Sequence, residues 1–312
     1  MPQHITVQKF NTAWERQFVE EKELIKSILK DNLVEIYHIG STAVKGLSAK
    51  PIIDMMPAVF DLSKVDLIAN KFEQAGYEYM GEFGIKGRRY LRKGGDERTH
   101  QIHIFQKDDA SNIKRHLAVR DYLREHFDEA QRYGKLKESL ALQFQYDIEG
   151  YCDGKEEFMQ SLEQLAMEWY DNSIRLGNIC EIDEIMQIWK SENIRAHNFI
   201  SADYWESNYC AVKSALPQAG IYVYVCKGEI MGFIGLNGNY IEGIFVKADC
   251  QCKGIGKALL NKVKETRSDL NLSVYKKNLN AVTFYLKNAF AVVSEGIDDN
   301  TNEIEYTMRW TK

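Results

Sequence analysis

The spacing of apolar residues changes period repeatedly along the first 170 positions, and each change marks an element. In "NTAWERQFVEEKELIKSILKD", Trp14, Phe18, Leu24, Ile25 and Ile28 recur at helical intervals, which predicts an amphipathic helix. "LVEIYHIG" reads as a strand entering a Gly-Ser turn at Gly40–Ser41, and "KPIIDMMPAV" as a buried strand stopped by Pro57. "VDLIANKFEQAG" returns to helical spacing and closes on Gly76. Strand-like pieces follow at "YEYMGEF", "RRYLRK" and "HQIHIFQ", and the pattern is helical from Asn112 to Tyr170. The region predicts an α+β domain with a helical tail.

The pattern restarts at "DNSIRLGN" with a short strand. Helices are predicted at "EIDEIMQIWKSEN" and around Tyr204–Ala215. "GIYVYVCKGEIMGFIGLNGNYIEGIFV" gives three successive strands, with turns at Lys227–Gly228 and Asn237–Gly238. A helix ("GIGKALLNKVKETR"), a strand ("LNLSVYK"), a helix ("NAVTFYLKNAF") and terminal strands complete the chain. The expected domains are 1–170 and 171–312, with no internal repeat and no low-complexity segment.

Composition narrows the partners. The chain has 312 residues, 45% hydrophobic and 27% charged, with mean hydropathy −0.40, the profile of a soluble two-domain protein. A net charge of −5 argues against duplex nucleic acid or an anionic membrane as partner. No apolar run approaches the roughly 18 residues that span a bilayer, and "MPQHITVQKF" lacks a signal-peptide core. The six cysteines form no CxxC pair and read as reduced thiols of a cytoplasmic protein.

The sharpest motif is "IFVKADCQCKGIGKALL", Ile244–Leu260, which runs strand, loop, glycine-rich turn, helix. Glycines let the backbone turn tightly, so successive N–H groups point into one concavity at the positive end of a helix, where a pyrophosphate fits. Lys253 and Lys257 can add charge at its rim. Further on, "LSVYKKNLNAVTFYLKNAF" carries Asn278, Ala281 and Phe284-Tyr285. With "RAHNFISADYWESN" and "SVYKKN", this succession resembles the GNAT acetyltransferase superfamily over about residues 173–310, in particular the bacterial branch that acetylates amino groups on peptides or small molecules.

That resemblance implies a mixed sheet with splayed parallel strands flanked by helices, with acetyl-CoA as cofactor and an amine of a small molecule, peptide or protein as acceptor. It implies that strand backbone at Ile244, Phe245 and Val246 meets the thioester, and that N–H groups of Cys252, Lys253, Gly254, Ile255, Gly256 and Lys257 hold the pyrophosphate. Asn278 matches the residue on the pantetheine arm, and Tyr285 the acid that protonates the leaving thiolate. The base is open: Glu242 and His197 are candidates, and water is an alternative. Phe199, Tyr204 and Trp205 are candidates for the acceptor pocket, or for core.

"HIGSTAVKGLSAKPIID", "HQIHIF" and "RHLAVRDYLREHFDEAQRYGKLKESLA" resemble the GrpB family over roughly residues 1–168, which implies a nucleotidyltransferase-like α/β fold. Nucleotidyl transfer needs a phosphate-holding turn and two or three carboxylates for Mg²⁺. Gly40, Ser41 and Asp54 supply the turn and one carboxylate; Met56 stands where the second is usual, and a thioether is a poor ligand for Mg²⁺. No metal site is therefore expected. The reading is a ligand- or partner-binding domain with a pocket lined by Gly40, Ser41, Lys50, Asp54, Arg88, Arg89 and His103; metal-dependent nucleotidyl transfer, making a bifunctional enzyme, is the alternative.

Overall fold

The computed structural model describes residues 4–312, and the chain divides into two units, Met1–Tyr170 and Asp171–Lys312. In the first, helix α1 (Ala13–Leu29) leads into strands β1 (Leu33–Ile39) and β2 (Ile53–Val59). Short helices α2 (Leu62–Leu67) and α3 (Ala69–Gln74) precede β3 (Tyr77–Tyr79), β4 (Arg89–Lys93) and β5 (His100–Gln106). Helices α4 (Ala110–Glu125), α5 (Phe127–Gln143), α6 (Ile148–Asp153) and α7 (Glu156–Tyr170) follow.

The sheet order is β1-β2-β5-β4-β3, with β2 and β5 parallel and the other pairs antiparallel. Alternation along the strands sorts the side chains. Ile53, Met55, Leu91, Ile102 and Ile104 join Trp14 and Ile25 of α1 and Phe72 of α3 in one buried cluster. Asp54 and Met56 fall on the other face. Pro57 does not stop β2: it pairs with Ile36 of β1, and the ladder to β5 skips from Met55 to Ala58, where proline has no N–H to give.

The second unit runs β6 (Ile174–Leu176), α8 (Ile182–Ala196), α9 (Ala202–Ala215), β7 (Gly220–Cys226), β8 (Glu229–Asn237) and β9 (Tyr240–Val246). It continues with α10 (Ile255–Lys264), β10 (Asp269–Tyr275), α11 (Leu279–Lys287), β11 (Ala291–Ile297) and β12 (Ile304–Thr311). The sheet order is β11-β12-β10-β9-β8-β7-β6. Only β9 and β10 are parallel, and they pair at a single position, Asn271 with Tyr240; beyond it they separate. Both units are mixed sheets flanked by helices, the expected α+β class, and the splayed parallel pair is present. Among the described residues no helix is long and apolar enough to cross a membrane.

Candidate active site

The splay of β9 from β10 leaves one edge of β9 open. Lys247 N–H donates to the Met231 carbonyl at 2.9 Å, and Phe245 lies opposite Phe233. In an antiparallel ladder hydrogen-bonded and non-bonded pairs alternate. Ile244 and Val246 therefore turn their N–H and C=O groups away from β8, toward the gap. The Val246 carbonyl is taken by the Gln251 side chain, whose Nε2 donates to it at 2.9 Å and to Glu192 Oε2 at 3.0 Å. The Val246 N–H is left facing the gap.

A cleft of about 520 Å³ fills that gap, lined among others by Ile244, Val246, Gly254, Gly256, Lys257 and Tyr285. Gly254 caps α10 in the left-handed region, φ +86°, and Cys252 also has positive φ, +60°. The turn so made aims the first-turn N–H groups of α10, which have no intrahelical acceptor, at the cleft. Cys252 and Ile255 belong to the lining as well. Lys253 and Phe245 do not: Lys253 is exposed, and the Phe245 ring stacks on Phe233 with centroids 5.0 Å apart, so Phe245 offers only backbone. Lys287 and Asn288, which the motif did not mark, stand on the wall, and Gln251 is the residue that holds the loop to the strand.

Tyr285 is 6% exposed, packed edge-on between Phe284 and Phe290. Burial pushes its phenol above its ordinary value, so it keeps its proton. Asn278 is held by two protein partners. Its Oδ1 accepts from Ala281 N–H at 3.1 Å, capping α11, and its Nδ2 donates to His197 Nε2 at 3.1 Å; it is not in the lining, whereas Asn280 and Ala281 are. The same contact weakens His197 as a base, because the Nε2 lone pair is engaged and burial holds the imidazole down to about 4. His197 instead stacks on Trp205 and meets Tyr275 and Phe199 edge-on, with centroids 5.2–5.7 Å apart. Glu242 lies at the β-bulge between β8 and β9, exposed and outside the lining.

The first unit has its own cavity, about 240 Å³, at the Gly-Ser turn. It brings together Gly40, Ser41, Lys50 and Asp54, as the sequence suggested, and adds Lys137 of α5, Lys155 before α7, Tyr133 and Tyr151. Gly40 has φ +69°, and a Cβ there would collide with the Asp54 carboxylate, so any other residue would be strained. Arg120 Nη1 donates to the His38 carbonyl at 3.1 Å and Arg124 Nη2 to the Ala43 carbonyl at 2.8 Å, fastening both sides of the turn to α4.

Arg88, Arg89 and His103 lie elsewhere. Arg89 is forked on Asp66 at 2.5 and 2.8 Å. Arg88 is buried; it donates to the Phe83 carbonyl at 2.5 Å and to His103 Nδ1 at 3.2 Å. Burial drives His103 to about 3, so it accepts from Arg88 as a neutral ring. All three have structural partners instead: Arg89 ties β4 to Asp66 of α2, and Arg88 and His103 satisfy each other and the loop before β4.

A sequence profile of the GrpB protein family matches residues 4–165, half of the chain. The chain belongs to the GrpB family. A profile of the acetyltransferase (GNAT) domain matches residues 192–310. The GrpB region is thus followed by a GNAT acetyltransferase domain. YqkA of Bacillus subtilis is 41% identical over 160 residues, covering 51% of this chain and 46% of YqkA; the match spans about half of that relative. YiaC of Escherichia coli, a peptidyl-lysine N-acetyltransferase, is 32% identical over 139 residues, 44% of this chain and 95% of YiaC. The crystal structure of GrpB from Enterococcus faecalis superposes with a TM-score of 0.51 at 48% identity, over 52% of this chain and 98% of that one.

Proposed function

We propose that the chain is an acetyl-CoA-dependent N-acetyltransferase whose acceptor is the side-chain amine of a lysine in a peptide or protein. The observation that carries this reading is the open edge of β9: Val246 N–H faces a cleft that ends on the glycine turn of α10. Acetyl-CoA supplies an acyl group activated as a thioester, open to attack by an amine. The Val246 N–H is a preset donor for a carbonyl oxygen that gains negative charge during attack. First-turn N–H groups of α10 receive the pyrophosphate, with Lys257 adding charge. Tyr285, held protonated by burial, donates to the departing sulfur.

The acceptor enters beside the aromatic wall of His197, Phe199, Trp205 and Tyr275. That wall is tied through Asn278 to the start of α11, about two turns before Tyr285. With Glu242 exposed and His197 engaged, water takes the proton of the amine. Similarity to a peptidyl-lysine N-acetyltransferase favours a protein lysine over a free amine. The test is acetyl transfer from labelled acetyl-CoA to lysine-bearing peptides, free polyamines and aminoglycosides, with products located by mass spectrometry. Label on peptide lysine supports the reading. Transfer only to a free amine corrects the acceptor, and failure to bind acetyl-CoA overturns the whole.

A further inference from the structure

The cavity of the GrpB region takes no part in that chemistry, and its charge is unusual. Three lysines, Lys50, Lys137 and Lys155, face a single carboxylate, Asp54. Lys137 is 3% exposed and donates from Nζ to Ser41 Oγ at 2.7 Å, with the Tyr133 ring 4.2 Å from the ammonium. Lys50 and Lys155 stand over the same ring, that of Tyr151, at 5.0 and 4.9 Å. Three lysines around one carboxylate leave positive charge uncompensated, and desolvating such charge is costly. Burial first, then the Lys155 charge and last that of Lys50, against the pull of Asp54 and Glu138, hold Lys137 down to about 7.

A bound anion would reverse that cost, and the cavity selects which one. Ammonium groups on separate elements are point charges that converge on an oxyanion from several directions, as phosphate recognition requires. Ser41 and Tyr133 add hydroxyls. The volume, about 240 Å³, is below the roughly 300–1,000 Å³ of sites that enclose a whole drug-sized ligand, so it suits a head group. A divalent cation is disfavoured, since one carboxylate among three ammonium groups does not attract it. We infer that this cavity is a metal-independent binding site for the phosphate or diphosphate end of a small phosphorylated ligand, held by Lys50, Lys137, Lys155 and Ser41.

Titration calorimetry of the full chain with pyrophosphate, in the presence of EDTA, tests this. Binding is expected without metal and should weaken as salt rises. Lys155→Gln and Lys50→Gln, at half-buried positions, should each weaken it about tenfold, the loss of one charge-assisted contact. Lys137→Met should weaken it further, with circular dichroism checking that the unit stays folded. The inference is overturned by no heat at millimolar pyrophosphate, by binding that EDTA abolishes and Mg²⁺ restores, by citrate binding as tightly as pyrophosphate, or by lysine variants that bind like the wild type. None of these outcomes depends on acetyl transfer, so failure here leaves the acetyltransferase reading intact.

Discussion

The two units each build a concavity for an anionic ligand, and they do it by opposite means. The cleft beside β9 is made of backbone: a strand edge exposed by splay, a left-handed glycine and the start of a helix. The cavity beside β2 is made of side chains: lysines from three places in the chain, fixed by a serine, two tyrosines and an aspartate. Backbone donors have fixed geometry and carry no titratable charge. Buried lysines bring charge, and they impose a cost on the empty site that varies with pH.

The widest gap between the two designs should appear at Tyr285. Tyr285→Phe removes the proton donor and leaves the backbone site untouched. Turnover should fall by roughly 10²–10⁴-fold while the affinity for acetyl-CoA changes little, as steady-state kinetics beside calorimetry will show. An equal loss in both quantities would make Tyr285 a wall of the cleft rather than its acid. Gly254→Val tests the backbone design directly. A β-branched residue at φ +86° is strained, so acetyl-CoA binding should weaken by about tenfold and stability fall by about 1–3 kcal/mol.

Gly40→Ala is the corresponding change in the first unit. The added methyl meets both the positive φ and the Asp54 carboxylate. Chemical denaturation should show a loss of about 1–3 kcal/mol in the transition of the GrpB region, with acetyl-CoA binding retained. The last prediction concerns pH. Asp54 is pushed up to about 7 by burial, against the pull of the three lysines, so the folded state holds the extra proton between about pH 4 and 7 and stability falls as pH rises through that window. Lys137 is held down to about 7, so the unfolded state holds the extra proton from about 7 to 10.5 and stability rises there. The two groups together give the empty GrpB region a minimum of stability near pH 7. Melting curves of Lys137→Met should lose the rise above pH 7; an unchanged profile would show that Lys137 titrates normally.

The same contrast explains what the sequence could reveal. Gln251 to Gly256 are neighbours in the chain, so the turn, the helix start and the glycine at φ +86° were legible as one local pattern. Strand alternation and helical spacing likewise predicted most elements of both units. Pro57 misled because an interruption in the ladder, set by pairing with β1 and β5, is not written in the strand itself. Asn278 was legible as a residue at the start of α11, but not its partners: its Oδ1 caps the helix while its Nδ2 meets His197, a contact that only tertiary packing brings about. In the GrpB region, Ser41, Lys50 and Asp54 were legible, but Lys137 and Lys155 come from segments far along the chain, and a buried lysine on an amphipathic helix looks like any surface lysine. Arg88 and His103 seemed available because nothing in sequence shows that they satisfy each other.

Gln251 makes two hydrogen bonds from one nitrogen. Its single amide holds the Val246 carbonyl beside the cleft and the Glu192 carboxylate of α8, the helix that ends at His197. One hydrogen-bonding group thus joins the strand beside the cleft to the helix that ends at His197, and any coupling it carries between acetyl-CoA and an acceptor must be equal in both directions. Acceptor binding should depend on whether acetyl-CoA is already seated, a dependence that Gln251→Ala should erase from the acceptor's dissociation constants measured with and without it.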